Sequence, residues 1–285
     1  MNRPLAHDTQ AGFVSLPVNA VYETRGDGER RLVCVAEETP IAFRYDGFPH
    51  AVMMATPDDL EDFAVGFSRS EGIIETACDL RDILICPCDD GINVDLSLNG
   101  ECLQRYLANR RVRRLHGHTS CGLCGVKDLD DIGRPAPRVP AANAPSPDSI
   151  RFALEALRQW QPLSRHTRGA HASAWVALDG TLRDVREDVG RHNSLDKLIG
   201  AMLRGSRRTQ DGFCLITSRC SFEMVQKAVA AGFPMLVSAG APTALAIRLA
   251  AATGLTLYSL SRDGEPIQFT SPVPSGEAPW PRHAS

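Results

Sequence analysis

With 285 residues, a formal net charge of −3 and 23% charged side chains, the chain has room for two ordinary domains. That balance argues against wholesale nucleic-acid binding or disorder. No apolar run approaches the roughly 20 residues that span a bilayer, and the opening MNRPLAHDTQ has no apolar signal core. A cytoplasmic protein is expected, with neither membrane nor nucleic acid as partner.

In chain order, residues 1–18 read as a loose tail and 19–132 as an α+β domain. Residues 133–147 (GRPAPRVPAANAPSP) read as a linker, 148–270 as an α/β domain and 271–285 as a second loose tail. RRLVCVAEETPIAFRYDGFPHAVMMAT gives short strands turning at Asp46-Gly47. A helix follows, with Thr56 as cap, Pro57 in the first turn and Asp58 and Asp59 at the positive end. Leu60, Phe63, Ala64 and Phe67 form its apolar stripe. DILICPC and GINVDLSL are two strands joined around Asp90-Gly91. Residues 101–114 form a helix leading to CGLCG.

Beyond the linker, Ser146 and Pro147 open a helix with Ile150, Ala153, Leu154 and Leu157 on one face. HASAWVAL and TLRDVRED make a hairpin with a two-residue turn at Asp179-Gly180. Asn193 caps a helix carrying Leu195, Leu198, Ile199 and Met202. The segments GFCLIT, SFEMVQKAVAAG, FPMLVSA, PTALAIRLAAATG and LTLYSL then alternate strand and helix. Alternation at that spacing implies crossover connections and a largely parallel sheet between helices.

Ligands of such sheets gather beyond the carboxyl ends of the strands. TSRCS (217–221), SAGAPT (238–243) and SRDGE (261–265) leave strands there, the first with Ser218, Arg219 and Ser221. Free N–H groups at helix starts, with Arg219 and Arg262, suit phosphate. None of these is a Walker A loop or dinucleotide fingerprint, and ordinary caps with solvated arginines also account for them. REDVGRHNSLDK (186–197) reads either as a self-paired surface or as a polar site at the hairpin-to-helix junction, joined by His171.

Nine cysteines in a reducing compartment are packing, metal ligands or chemistry, not a disulfide framework. Cys34, Cys102 and Cys214 lie in apolar stretches and are expected in the core. Cys86 and Cys88 form a C-x-C pair that lacks zinc-site spacing. In HGHTSCGLCGVKDL, Cys121 and Cys124 lack the second C-x₂-C pair of a structural zinc site, and His116 and His118 are wrongly spaced to replace it. A zinc deaminase needs H-x-E before P-C-x-x-C. Here His171-Ala172-Ser173 carries Ser for Glu and follows the pair, so no metal is expected.

A thiol-based role fits better. Gly122 and Gly125 leave both sulfurs unshielded. Arg105, Arg110, Arg111, Arg113, Arg114, His116 and His118 precede them, opposed nearby by Glu101. Such surroundings lower a thiol pKa from about 8.5 towards 7, so thiolate becomes the main species at pH ~7.5. The thiolate attacks disulfides or accepts sulfur from a persulfide. A thioredoxin-like reductase carries its pair at a strand end; a polar loop between domains suits an arm presenting sulfur.

CGLCG, together with DVREDVGRHNSLDKLIGAML, TSRCSFEMVQKAVAAGFPMLVSAGAPTALAIRLA, LTLYSLSRDG and PHAVMMATPDDLEDFAVGFSRSEGII, resembles the FdhD family of formate dehydrogenase accessory sulfurtransferases. The likeness covers roughly residues 16–270. It implies a cytidine deaminase-like three-layer C-terminal domain without zinc and with a mixed, largely parallel sheet, plus a smaller α+β N-terminal domain. It further implies a homodimer that takes persulfide sulfur from a cysteine desulfurase. Cys121 matches the persulfide position and Cys124 its partner thiol. The acceptor implied is the bis-molybdopterin guanine dinucleotide cofactor of the formate dehydrogenase catalytic subunit, a bound substrate that GDP would mimic. The cofactor loop matches Leu260, Ser261, Arg262, Asp263, Gly264 and Glu265. Asp263 and Glu265 make this loop less basic than the family's, which shifts weight onto Arg262, Arg219 and Arg191, with Ser218 and His192 beside them. The other reading is a chaperone that delivers the cofactor without carrying sulfur.

Overall fold

A computed structural model describes residues 18–24, 26, 28, 30–115 and 137–271. Cys121 and Cys124, with the rest of the CGLCG loop, lie outside the described residues, as do nearly all of both expected tails and the start of the linker.

Strands β1 (Val18–Thr24) and β2 (Arg30–Ala36) form an antiparallel hairpin apart from two larger sheets. In the smaller sheet, β3 (Thr39–Tyr45), β4 (Phe48–Ala55), β5 (Leu80–Cys88) and β6 (Gly91–Leu98) lie in the order β4-β3-β6-β5. Asp46 and Gly47 turn β3 into β4 with φ of 46° and 77°, the left-handed pair that a two-residue hairpin requires. Alternate residues Ile41, Phe43, Tyr45, Val94, Leu96 and Leu98 are buried against α1 (Leu60–Ser70) and α2 (Gly100–Leu115). Phe43 stacks on Phe67 at 4.7 Å and meets the edge of Phe63 at 5.1 Å, so the expected stripe of α1 is the one buried.

Thr56 does not cap α1. Asp59 takes that position in the left-handed region, φ 51°, without a side-chain cap bond. Thr56 is instead 1% exposed, with every polar group engaged by the second domain. Its N–H donates to Asp188 at 3.1 Å, its hydroxyl accepts from the Val189 N–H at 3.1 Å, and its carbonyl accepts from Lys197 Nζ at 2.9 Å.

The larger sheet is mixed, in the order β12-β11-β10-β9-β7-β8. Its strands are β7 (His171–Ala177), β8 (Leu182–Asp188), β9 (Gly212–Ile216), β10 (Met235–Ser238), β11 (Thr256–Leu260) and β12 (Pro266–Gln268). The expectation of a largely parallel sheet is corrected: only the β9–β10 and β10–β11 pairings are parallel, and the β7–β8, β7–β9 and β11–β12 pairings are antiparallel. Helical crossovers through α6 (Phe222–Ala230) and α7 (Ala244–Thr253) keep β9, β10 and β11 parallel, whereas short turns reverse the chain between β7 and β8 and between β11 and β12. The β7–β8 loop spans residues 178–181 rather than two residues, with a register shift at Trp175/Val176.

Helices cover both faces. α5 (Arg191–Arg204), α6 and α7 bury Leu195, Leu198, Met224, Val225 and Ala246 against Cys214, Ile216 and Leu236. On the other face, α3 (Pro147–Leu157) buries Ile150, Ala153 and Leu157 against Ala174, Val176 and Leu215. Ser146 caps α3 as expected, its hydroxyl accepting from the Ser149 N–H at 3.1 Å. A short helix, α4 (Pro162–Thr167), precedes β7, and the Glu187 carboxylate accepts the Leu163 and Ser164 N–H groups at its start, both at 2.8 Å. Val139 and Ala142 of the expected linker pack on the larger sheet's cores, so its described part is docked there.

The two sheet units meet where α1 crosses α5. A Cβ built on Gly66 would lie 1.7 Å from the Asp196 carbonyl oxygen, and one on Gly200 1.8 Å from that of Asp62. The helices touch backbone to backbone, which only glycine permits. Gly66→Ala is therefore expected to cost about 3 kcal/mol or more, the top of the usual range for overpacking, because backbone cannot move aside like a side chain. Denaturant unfolding measures it, and a loss under about 1 kcal/mol would mean the helices can part cheaply.

Candidate functional site

Because β9, β10 and β11 are parallel, Ile216, Ser238 and Leu260 end them at one edge. β8 ends there at Asp188, directly opposite His171 at the start of β7. Three helices start at this edge: α5 after Gly190, α6 after Ser221 and α7 after Thr243, whose hydroxyl accepts the Ala246 N–H at 3.2 Å. Thr243 is thus the cap of α7.

The loops after β9 and β10 run side by side. Gly240 N–H donates to the Ser218 carbonyl at 3.0 Å, Cys220 N–H to that of Ala241 at 3.3 Å, and Thr243 N–H to that of Cys220 at 3.0 Å. A Cβ on Gly240 would sit 2.9 Å from Arg219 Cα, so the loops need glycine here. Ser238 and Ser259 hydroxyls both donate to the Gly240 carbonyl, at 2.8 and 3.1 Å. These bonds fix the backbone from which the exposed Arg219 side chain extends. Ser218 is buried, and its hydroxyl donates to the Arg219 carbonyl at 3.0 Å, so it stiffens the loop rather than facing a ligand.

Residues 260–265 form a tight turn between β11 and β12, with Leu260 paired to Pro266. Ser261 N–H donates to the Glu265 carbonyl at 2.8 Å, Gly264 N–H to the Ser261 carbonyl at 3.1 Å, and Glu265 N–H to the Ser261 hydroxyl at 3.0 Å. Most of the N–H groups that a phosphate would use are therefore engaged. Glu265 pairs with Arg151 at 2.5 Å, and Asp263 is exposed. What the loop offers a ligand is the exposed Arg262 side chain, which, like that of Arg219, carries no hydrogen bond or ion pair among the described residues.

The charged run 186–197 divides in two. Arg186, Asp188, Asn193, Asp196 and Lys197 turn inward and tie the sheet units together. Arg186 reaches Asp62 at 2.7 Å, and Asp196 holds Lys227 at 2.8 Å and Ser70 at 2.7 Å. Lys197 and Asp188 pair at 2.8 Å, both fully buried. Asn193 does not cap α5; its amide bonds the Met54 carbonyl at 2.8 Å and Asp188 at 3.0 Å, leaving the cap to Gly190.

Arg191 and His192, in the first turn of α5, stay at the edge. Arg191 Nε, His192 Nε2 and the Ser221 hydroxyl are buried without a hydrogen-bond partner among the described residues. Burial, reinforced by Arg191 and Lys227, pushes His192 down to about 4. Burial and Arg191 also lower His171, with Asp188 opposing them. A cavity of about 230 Å³ between Arg69 and Phe233 opens at the opposite edge, beside the starts of β9 and β10, and takes no part here.

Sequence reasoning set Arg219 and Arg262 beyond strand ends and left Arg191 and His192 between a self-paired surface and a polar site; in the structure all four lie along one edge. That reasoning missed that the acidic and amide residues between them are a buried clasp. Asn193, Asp196, Lys197 and Gly200 recur at helical spacing, a polar stripe facing a partner helix, and that was the available signal.

Helix starts, the unpaired guanidinium groups of Arg219 and Arg262, and the half-buried His192 imidazole thus lie at one strand edge of an α/β protein. Its particular lineage is plain: the chain belongs to the FdhD/NarQ family, which residues 36–273 match. A protein named sulfur carrier protein FdhD from Xanthomonas euvesicatoria pv. vesicatoria (strain 85-10) is 44% identical over 273 residues, 95% of each chain. Another of that name, from Bordetella petrii, is 45% identical over 239 residues, 84% of this chain and 85% of its own. The crystal structure of a candidate formate dehydrogenase accessory protein from Desulfotalea psychrophila aligns with TM-score 0.68 at 27% identity, covering 90% of this chain and 96% of that one. Among the described residues no helix is long and apolar enough to cross a membrane.

Proposed function

We propose that this chain is a sulfur carrier for formate dehydrogenase maturation and that it works as a cytoplasmic sulfurtransferase with a cysteine persulfide intermediate. Family membership supports the carrier role, and the glycine-flanked Cys121-x-x-Cys124 pair after a run of cations supports the persulfide. The Cys121 thiolate attacks the outer sulfur of a cysteine desulfurase persulfide; that S–S bond breaks, the sulfur moves to Cys121 and the desulfurase thiolate leaves. Attack by Cys124 on Cys121 then forms a disulfide between them and expels the carried sulfur as hydrosulfide, two electrons richer, to the acceptor. A cellular thiol reductant restores the pair.

The acceptor in this reading is the bis-molybdopterin guanine dinucleotide of the formate dehydrogenase catalytic subunit, held as substrate at the strand edge of one subunit of a homodimer. The larger sheet is read as a deaminase-like scaffold that has given up zinc. Ser173, the serine that stands for Glu in the H-x-E sequence pattern, bonds the Ser194 hydroxyl at 2.9 Å in a buried pair. The unpaired Arg219 and Arg262 suit a diphosphate, each guanidinium being able to bind two oxygens. Arg219→Ala and Arg262→Ala are each expected to weaken GDP by about tenfold or more in calorimetry, the worth of a charge-assisted bond. Undetectable GDP binding, or binding that survives both substitutions, moves the cofactor elsewhere.

Mass spectrometry after incubation with a cysteine desulfurase and cysteine tests the carrier. One added sulfur on Cys121 is expected. Cofactor delivery with no sulfur adduct would leave the chaperone reading instead.

A further inference from the structure

We propose that Arg191, His192 and Ser221 form a tetrahedral-oxyanion site at the meeting of α5 and α6, separate from Arg219 and Arg262. The inference deepens the reading of this edge, since a phosphoryl group of a nucleotide-bearing ligand is one oxyanion it would take; it requires no sulfur chemistry.

Arg191 Nε, His192 Nε2 and Ser221 Oγ are shielded from solvent with nothing bonded to them among the described residues. Folded proteins rarely leave such atoms orphaned, and several of them along one edge mark a place that a ligand completes. The chemistry points to an anion. An arginine Nε–H only donates, a serine hydroxyl can donate, and a neutral imidazole donates from one nitrogen. Arg191 and His192 lie in the first turn of α5, and Ser221 is the residue before α6, so two helix starts add their free N–H groups and positive ends.

Among the described residues, the charged or titratable groups that weigh most on His192 are Arg191 on its own helix, Lys227 and Glu223 on α6, and His171 on β7. Arg191 and Lys227 disfavour a proton on the ring and Glu223 favours one. Lys227 is already held by Asp196 at 2.8 Å. An anion at Nε2 offsets the two cations, so the bound ring holds a proton more tightly than the free ring, which sits at about 4. Binding therefore takes up a proton, and affinity rises as pH falls from neutrality towards the free-ring value. The backbone that sets this geometry is fixed from beneath, because Asp188 accepts the Gly190 N–H at 2.8 Å just before Arg191.

Sulfate is the probe, since it does not itself titrate near neutral pH. The imidazole signal of His192 in the full chain, identified by its loss in His192→Gln, is followed by NMR against sulfate and pH. A saturable shift is expected, with the ring's midpoint raised by about one unit or more, equivalent to about tenfold tighter binding to the protonated form. Ser221→Ala should weaken sulfate about fivefold and Arg191→Gln about tenfold or more. Arg219→Ala and Arg262→Ala should leave it unchanged. An unmoved signal and midpoint, relative to chloride at equal ionic strength, overturn the site, as does wild-type sulfate binding by both Ser221→Ala and Arg191→Gln. Sulfate binding without any GDP binding leaves this site standing and removes only the nucleotide reading.

Discussion

Cys121→Ala should abolish activation of formate dehydrogenase while leaving the unfolding midpoint at its wild-type value. The substitution removes one sulfur at the residue just before Gly122, and with it the only atom of that side chain able to carry sulfur covalently. Loss of a covalent nucleophile commonly costs a factor of about 10³ or more. The buried cysteines make poor substitutes. Cys214 and Cys220 are buried, and burial raises both thiols, that of Cys220 to about 12. Cys102 is buried and its thiol donates to the Ile73 carbonyl at 2.9 Å. Thiols of that kind stay protonated and do not attack. Cys124→Ala should be milder in one respect: sulfur still loads on Cys121, but release slows because no neighbouring thiolate expels it. Maturation assays with the purified variants, read alongside intact mass, check both statements. A soluble Cys121→Ala protein that supports full activity would defeat the carrier mechanism.

What could be read from the chain depended on the range of the interaction. The stripe Leu60-Phe63-Ala64-Phe67, the Asp46-Gly47 turn and the Ser146 cap are settled by neighbours within a few positions, and each appears as the pattern implies. Thr56 has every local mark of a cap, yet its partners are Asp188, Val189 and Lys197, and burial against them outweighed the local preference. The direction of β7 and β12 was hidden for a similar reason. Alternating strands and helices specify crossovers, but whether a flanking strand adds parallel or antiparallel depends on which edge it finds. At the candidate site, Arg219 and Arg262 followed from the rule about strand ends. The turn that engages the Ser261, Gly264 and Glu265 N–H groups did not, because its hydrogen bonds depend on β12, a strand too short to show a period. The orphaned His192 Nε2 is legible only in three dimensions, since it is defined by what the neighbouring elements fail to supply.

Lys197→Met should destabilise the protein by about 3–5 kcal/mol, the usual cost of removing one partner from a buried ion pair. Lys197 and Asp188 are both fully buried and lie 2.8 Å apart, so the substitution strands the carboxylate away from water. Its remaining partners are the Thr56 N–H at 3.1 Å, the Gly190 N–H at 2.8 Å and the Asn193 amide at 3.0 Å. These satisfy its lone pairs but bring no countercharge. Against a typical total stability of about 5–15 kcal/mol the loss is large. Asp188→Asn in the Lys197→Met background removes the stranded charge, so the double variant should recover part of the loss; the cycle between the two sites should show coupling of about 1 kcal/mol or more. Denaturant midpoints at constant slope measure both quantities. Additive effects, or a Lys197→Met loss below about 1 kcal/mol, would show that water reaches the pair. The cost should not stop at stability. The same carboxylate joins Thr56 of the smaller sheet unit to Gly190 and Asn193 of the turn that delivers Arg191 and His192. A loosened clasp should therefore weaken sulfate at His192 before it alters sulfur loading on Cys121, because loading needs only the thiol and its donor.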